Sequence, residues 1–172
     1  MSIKRKITKS PLETKKTGDV LAKGILKLPL SDKSFVIGLE GDLGGGKTTF
    51  LQGFAKGLGI KEKILSPTFV LMKKFKIRVD SYSNTRAVAT RGDERNSSTS
   101  CRFVYFYHID CYRIEKPKEI LDLGFKEIIS NPRNIVAIEW ADRIRKIMPE
   151  KTIWIKFEFV DKNKRKIIIK YD

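Results

Sequence analysis

Histidine and cysteine are nearly absent from this chain of 172 residues: it has one histidine, His108, and two cysteines, Cys101 and Cys111. The cysteines lie in no metal-binding spacing and read as reduced thiols of a cytoplasmic protein. A lone histidine on a strand is either a catalytic base or a hydrogen-bonded structural residue, and its type alone does not choose between them. No apolar run is long enough to span a membrane, so no membrane partner is expected. Met1-Ser2-Ile3-Lys4-Arg5-Lys6 is basic but lacks the apolar stretch of a signal peptide behind it. Acidic residues are also scarce, with 20 Asp and Glu against 36 Lys and Arg, a net charge of +16. Such an excess favours anionic partners, whether nucleotide, nucleic acid or acidic protein; a solvated lysine-rich surface is the plainer alternative.

Glycine, by contrast, is concentrated where it has consequences. Gly41-Asp42-Leu43-Gly44-Gly45-Gly46-Lys47-Thr48-Thr49 fits G-x-x-x-x-G-K-[ST], the phosphate-binding loop of P-loop NTPases. An apolar run, Phe35 to Glu40, precedes it and reads as a buried strand. Phe50, Leu51, Phe54, Ala55 and Leu58 follow at helical spacing. Glycines let backbone N–H groups converge on an anion, and the helix N-terminus adds its positive end. In such a loop the lysine, Lys47, reaches the terminal phosphates and the hydroxyl of Thr48 ligates Mg²⁺.

The rest of the chain reads as one α/β domain over 1–172, with a mixed central β-sheet flanked by helices. Residues 1–9 look like a frayed basic lead. Ser10 as N-cap, Pro11 at the first helical position and Glu13 predict a helix that ends before Pro29. Ser66-Pro67-Thr68-Phe69 opens a strand-like run to Ile77. Thr68 can bring a hydroxyl near a terminal phosphate, as switch segments do, or the stretch is a turn capped by Ser66. Residues 78–101 hold much Ser, Thr, Asn and Arg, few apolar residues and no lysine, and read as a flexible insertion at a hairpin tip. Shortening 80–99 to a tight turn is therefore expected to leave melting temperature and ATP binding nearly unchanged; a large loss on thermal denaturation would show that the segment packs. Beyond it, the expected elements are a strand over 102–110, a helix over 117–129 with Gly124 as its weak point, a strand over 135–140 and a short helix over 142–148. A final hairpin is expected from Thr152 to Tyr171, with Ile153, Ile155, Phe157 and Phe159 on its inner face.

A P-loop enzyme needs a second acid, which holds Mg²⁺ or polarises the attacking water, and which usually ends an apolar strand beside the P-loop strand. Asp110 and Glu139 both end such strands. Glu139 follows the cleaner run, Ile135-Val136-Ala137-Ile138, and ranks first. ATP is the expected nucleotide, because the guanine-reading N-K-x-D is missing: Asn163-Lys164-Arg165-Lys166 lacks the acid.

Four ordered segments now combine: the loop through Phe50, Ser66-Pro67-Thr68-Phe69, His108-Ile109-Asp110-Cys111-Tyr112-Arg113, and Ile138-Glu139-Trp140. In this order the chain resembles the TsaE (YjeE) family of small bacterial ATPases, over about residues 10 to 170 apart from the insertion. The resemblance implies a role in making threonylcarbamoyladenosine beside the tRNA anticodon. It implies a weak Mg²⁺-dependent ATPase that docks on and resets a TsaD–TsaB complex, which itself performs the transfer and brings tRNA at least indirectly. It also implies phosphate contacts from Gly44, Gly45, Gly46, Lys47, Thr48 and Thr49, Mg²⁺ at Thr48 and Glu139, and nucleotide-base contacts near Pro11 and Arg165. The family loop usually has Ala where Gly45 stands. Two other classes fit the residues less well: a small-molecule or nucleotide kinase with the Arg-rich loop as a lid, and a non-enzymatic RNA-binding module using the +16 charge.

Overall fold

The computed structural model describes residues 2–65, 71–78 and 103–171. Its elements in order are β1 (Ser2–Thr8), α1 (Pro11–Ile25), β2 (Phe35–Gly41), α2 (Lys47–Gly57), β3 (Met72–Lys76), β4 (Tyr105–Asp110), α3 (Pro117–Leu121), α4 (Phe125–Ser130) and β5 (Asn134–Glu139). A 3₁₀ segment (Ala141–Ile147), β6 (Ile153–Phe159) and β7 (Arg165–Tyr171) complete it. The seven strands form one sheet in the order β1-β7-β6-β2-β5-β4-β3. β2, β4, β5 and β6 run parallel, while β3, β7 and β1 pair antiparallel. The mixed sheet flanked by helices is the α/β P-loop architecture expected from the sequence.

Local signals account for the helices that carry the loop. Ser10 accepts a hydrogen bond from the Glu13 N–H (3.2 Å), and the Glu13 carboxylate accepts one from the Lys9 N–H (2.8 Å), so α1 starts where the sequence placed it. α2 buries Phe50, Leu51 and Phe54 completely against Ile37, Leu39, Ile155 and Phe157 of the sheet. Each of these side chains contributes about 1.5–3 kcal/mol through lost apolar surface. The opposite face packs Val36, Ile109, Val136 and Ile138 against Ile120, Phe125 and Ile144.

Three expectations fail. The basic lead is a strand: β1 pairs with β7 in unbroken register from Ser2↔Tyr171 to Thr8↔Arg165, and buried Thr8 shares a 2.8 Å hydroxyl contact with Thr14. Its basic side chains hid it, because an edge strand needs no apolar face and is protected by charge. The helix over 117–129 is two short helices, broken where Gly124 takes φ +76°. Phe159 is 59% exposed rather than inward, lying beyond the end of the core with the Arg165 guanidinium 4.6 Å from its ring. Thr68, Cys101 and nearly all of the 78–101 insertion fall outside the described residues; β3 and β4, on either side of the insertion, do pair antiparallel.

Candidate active site

Residues 41–46 leave β2 and turn back into α2 through three left-handed glycines, Gly41 (φ +126°), Gly44 (+73°) and Gly46 (+101°). A side chain at 41 would meet the Phe157 carbonyl at 2.2 Å, so this turn requires glycine. Gly45 is not left-handed, but a Cβ there would lie 2.9 Å from the Asp42 carbonyl; alanine at 45 needs a small shift of the loop.

Parallel pairing brings the two strand-end acids to the mouth of this loop. β5 lies directly beside β2, with Leu39 opposite Glu139, and β4 lies one strand further, with Asp110 opposite Glu139. Both carboxylates are buried. Glu139 accepts hydrogen bonds from the Thr48 hydroxyl at 2.8 and 3.0 Å, and its Oε1 lies 2.9 Å from Nε2 of fully buried His108. Asp110 accepts from the Tyr112 N–H at 2.9 Å. A cleft of about 410 Å³ is lined by Leu43 to Thr49 together with Asp110, Tyr112, Glu139 and Trp140.

Lys47 is buried, and its ammonium donates to the carbonyls of Gly41 (2.5 Å) and Asp42 (2.9 Å) and sits 3.8 Å from the centre of the Trp140 ring. Burial pushes its pKa below the usual lysine value, opposed by the carboxylates of Glu139 and Asp110. Trp140 is the one non-glycine residue with positive φ (+58°) among those described. A bulky residue there costs on the order of 1–3 kcal/mol, and it places the indole over the lysine. The sequence reading assigned Trp140 no role; its position directly after a strand-end acid was the available signal. Cys111, buried beside these groups, has its thiol pushed up to about 12, chiefly by burial, which disfavours the thiolate.

On the other side of the loop a smaller recess, about 80 Å³, brings Pro11 and Arg165 together with Thr14, Gly44, Gly46 and Thr49. Arg165 donates from Nε to the Gly44 carbonyl (3.2 Å) and from Nη1 to the carbonyls of Asp161 (2.8 Å) and Lys164 (2.9 Å). Residues from opposite ends of the chain thus share the loop's second face.

His108 resolves differently from a general base. Its Nδ1 has no hydrogen-bond partner among the described residues, so Nε2 carries the proton and donates it to Glu139. It orients the acid that faces Thr48. Removing a hydrogen bond to a charged group costs about 1.5–3 kcal/mol. His108→Ala is therefore expected to lower the melting temperature by several degrees, and His108→Gln, which can supply an amide donor, by less. Equal losses for the two variants on thermal denaturation would show that the ring's packing matters and its N–H does not.

The glycine turn, the lysine at the start of α2 and the carboxylate across from Thr48 define a P-loop NTPase fold. The chain belongs to the TsaE family: the family model "Threonylcarbamoyl adenosine biosynthesis protein TsaE" matches residues 8–167. The tRNA threonylcarbamoyladenosine biosynthesis protein TsaE of Treponema pallidum is 28% identical over 165 residues, covering 96% of this chain and 98% of that protein. TsaE of Nostoc is 41% identical over 112 residues, 63% of this chain and 54% of that protein. TsaE of Bacillus subtilis is 33% identical over 132 residues, 77% of this chain and 66% of that one. The crystal structure of Bacillus subtilis YdiB superposes with a TM-score of 0.67 at 25% identity, over 99% of this chain and 86% of that one.

Proposed function

We propose that this protein binds and slowly hydrolyses ATP with Mg²⁺ in the cytoplasm, and that this turnover serves threonylcarbamoyl modification of tRNA adenosine through docking on a TsaD–TsaB complex. The observation that carries the reading is the contact between the Thr48 hydroxyl and both oxygens of the Glu139 carboxylate, at the mouth of the glycine loop. A hydroxyl and a carboxylate are hard oxygen donors, and Mg²⁺ is commonly held by one or two such groups plus substrate phosphates. Among the described residues no cluster of three or more His, Cys, Asp or Glu competes as a metal site. When bound, Mg²⁺ supplies charge neutralisation on the phosphates. No helix among the described residues is long and apolar enough to cross a membrane.

The chain's own groups divide the work. The N–H groups of residues 44–49 and the N-terminus of α2 receive the phosphates. Lys47 exchanges the Gly41 and Asp42 carbonyls for phosphate oxygens, and Thr48 turns its hydroxyl's lone pairs outward. Glu139, held by His108, accepts hydrogen bonds from a water and orients it. Asp110, one strand further from the loop, acts at longer range, through water or as a switch contact. The recess at Pro11 and Arg165 receives the base.

The test is ATP turnover without any added acceptor, measured with and without the partner complex, together with two binding variants. Lys47→Ala is expected to weaken ATP binding itself, because its charge acts in ground and transition states alike. Thr48→Ala is expected to weaken mainly the part of ATP binding that depends on Mg²⁺. Unchanged nucleotide affinity in Lys47→Ala sinks the reading.

A further inference from the structure

The β1 edge of the sheet carries a second feature, remote from the loop. β1 is the end strand, and among the described residues nothing pairs with its outer side. The register places Lys4 opposite Ile169 and Lys6 opposite Ile167, on the sheet face that α1 covers. α1 stops short of β1 and leaves a groove of about 420 Å³ between them. Ile167 and Ile169 form its floor, Val20 (61% exposed) and Leu21 its helix wall, and Lys4 and Lys6 its outer rim. On the other face of the same strand, Ile3 and Ile7 are 44% and 55% exposed and flank Arg5.

An unpaired strand edge beside an apolar groove and a helix is the geometry in which an extended peptide adds as a further strand, its backbone pairing with the edge and alternate side chains filling the groove. Charge selects the occupant. Lys4, Arg5 and Lys6 are consecutive, so a second copy of this chain would set like charges against like, and self-pairing is disfavoured. When the aliphatic side chains of an added strand fill the groove, its alternate carboxylates lie on the opposite face, against Arg5. Nucleic acid fits less well, because it offers no main-chain ladder to the edge, and the one aromatic ring among the described residues lining the groove, Tyr171, already has the Lys4 ammonium 5.7 Å from its centre. We propose that the groove between β1 and α1 docks an extended segment of a protein partner, alternating aliphatic and acidic residues, as an eighth strand of the sheet.

The probe is a fluorescent Val–Glu alternating peptide of seven residues, the length of β1, with Val–Lys, oligo-glutamate and single-stranded RNA as comparisons. The expected result is salt-sensitive binding of the Val–Glu peptide alone, with amide shifts confined to β1, β7 and α1. Affinity should fall at least about tenfold, equivalent to about 1.4 kcal/mol, in Arg5→Glu and in Val20→Asp, at exposed positions that leave melting temperature unchanged. Absence of binding, equal binding of oligo-glutamate, displacement by RNA at lower concentration, or full affinity in both variants overturns the proposal. ATP turnover is read in parallel and is independent of it, so failure here leaves the reading of the loop intact.

Discussion

Glu139→Ala is expected to retain ATP and lose hydrolysis, by at least about tenfold in turnover, a barrier increase near 1.4 kcal/mol. The carboxylate ends the strand that pairs with the P-loop strand, and it already faces the Thr48 hydroxyl at 2.8 Å. It touches neither the glycine turn nor Lys47 through a hydrogen bond, so the groups that grip phosphate stay in place. An interaction realised mainly in the transition state lowers turnover more than affinity. Asp110→Ala is expected to have the smaller effect, since β4 stands one strand further from the loop. Nucleotide affinity and partner-stimulated turnover measured on both variants decide the order. Wild-type turnover in Glu139→Ala beside a dead Asp110→Ala reverses the two roles. Glu139→Ala also leaves the buried His108 N–H without its acceptor, so Glu139→Gln belongs in the comparison to separate folding from chemistry.

The second large effect concerns stability. α1 and α2 approach so closely that a Cβ at Gly53 would lie 1.9 Å from the Lys15 carbonyl, and one at Gly18 would lie 2.2 Å from the Phe50 carbonyl. Both obstacles are backbone, which cannot rotate away. Gly53→Ala must push the helices apart over the core formed by Phe50 and Phe54. Overpacking of this kind costs about 1–3 kcal/mol, or about 2–10 °C in melting temperature for a chain of this size. Gly24→Ala is the control, because nothing lies within 4 Å of a Cβ there, and it sits in the same helix as Gly18. A Gly53→Ala variant that melts with the wild type would mean that the helix crossing is looser than drawn.

What the residues by themselves determined was local chemistry. The loop was legible because its backbone must turn left-handed at Gly41, Gly44 and Gly46, and a lysine and threonine must follow at fixed offsets whatever the rest of the chain does. The strands ending in Asp110 and Glu139, the N-cap at Ser10 and the break risk at Gly124 were legible for the same reason: each is set within a few residues. The tertiary structure alone decided what depends on strand order and register. It placed β5 rather than β4 beside the loop strand, and so Glu139 rather than Asp110 against Thr48. It turned a basic lead into an edge strand, because β7 supplied the hydrogen-bond partners that no local pattern in residues 2–8 announces. It joined Pro11 to Arg165 across the loop and gave His108 its carboxylate. Periodicity shows which face of an element is buried; which neighbour it is buried against depends on pairings between residues far apart in the chain.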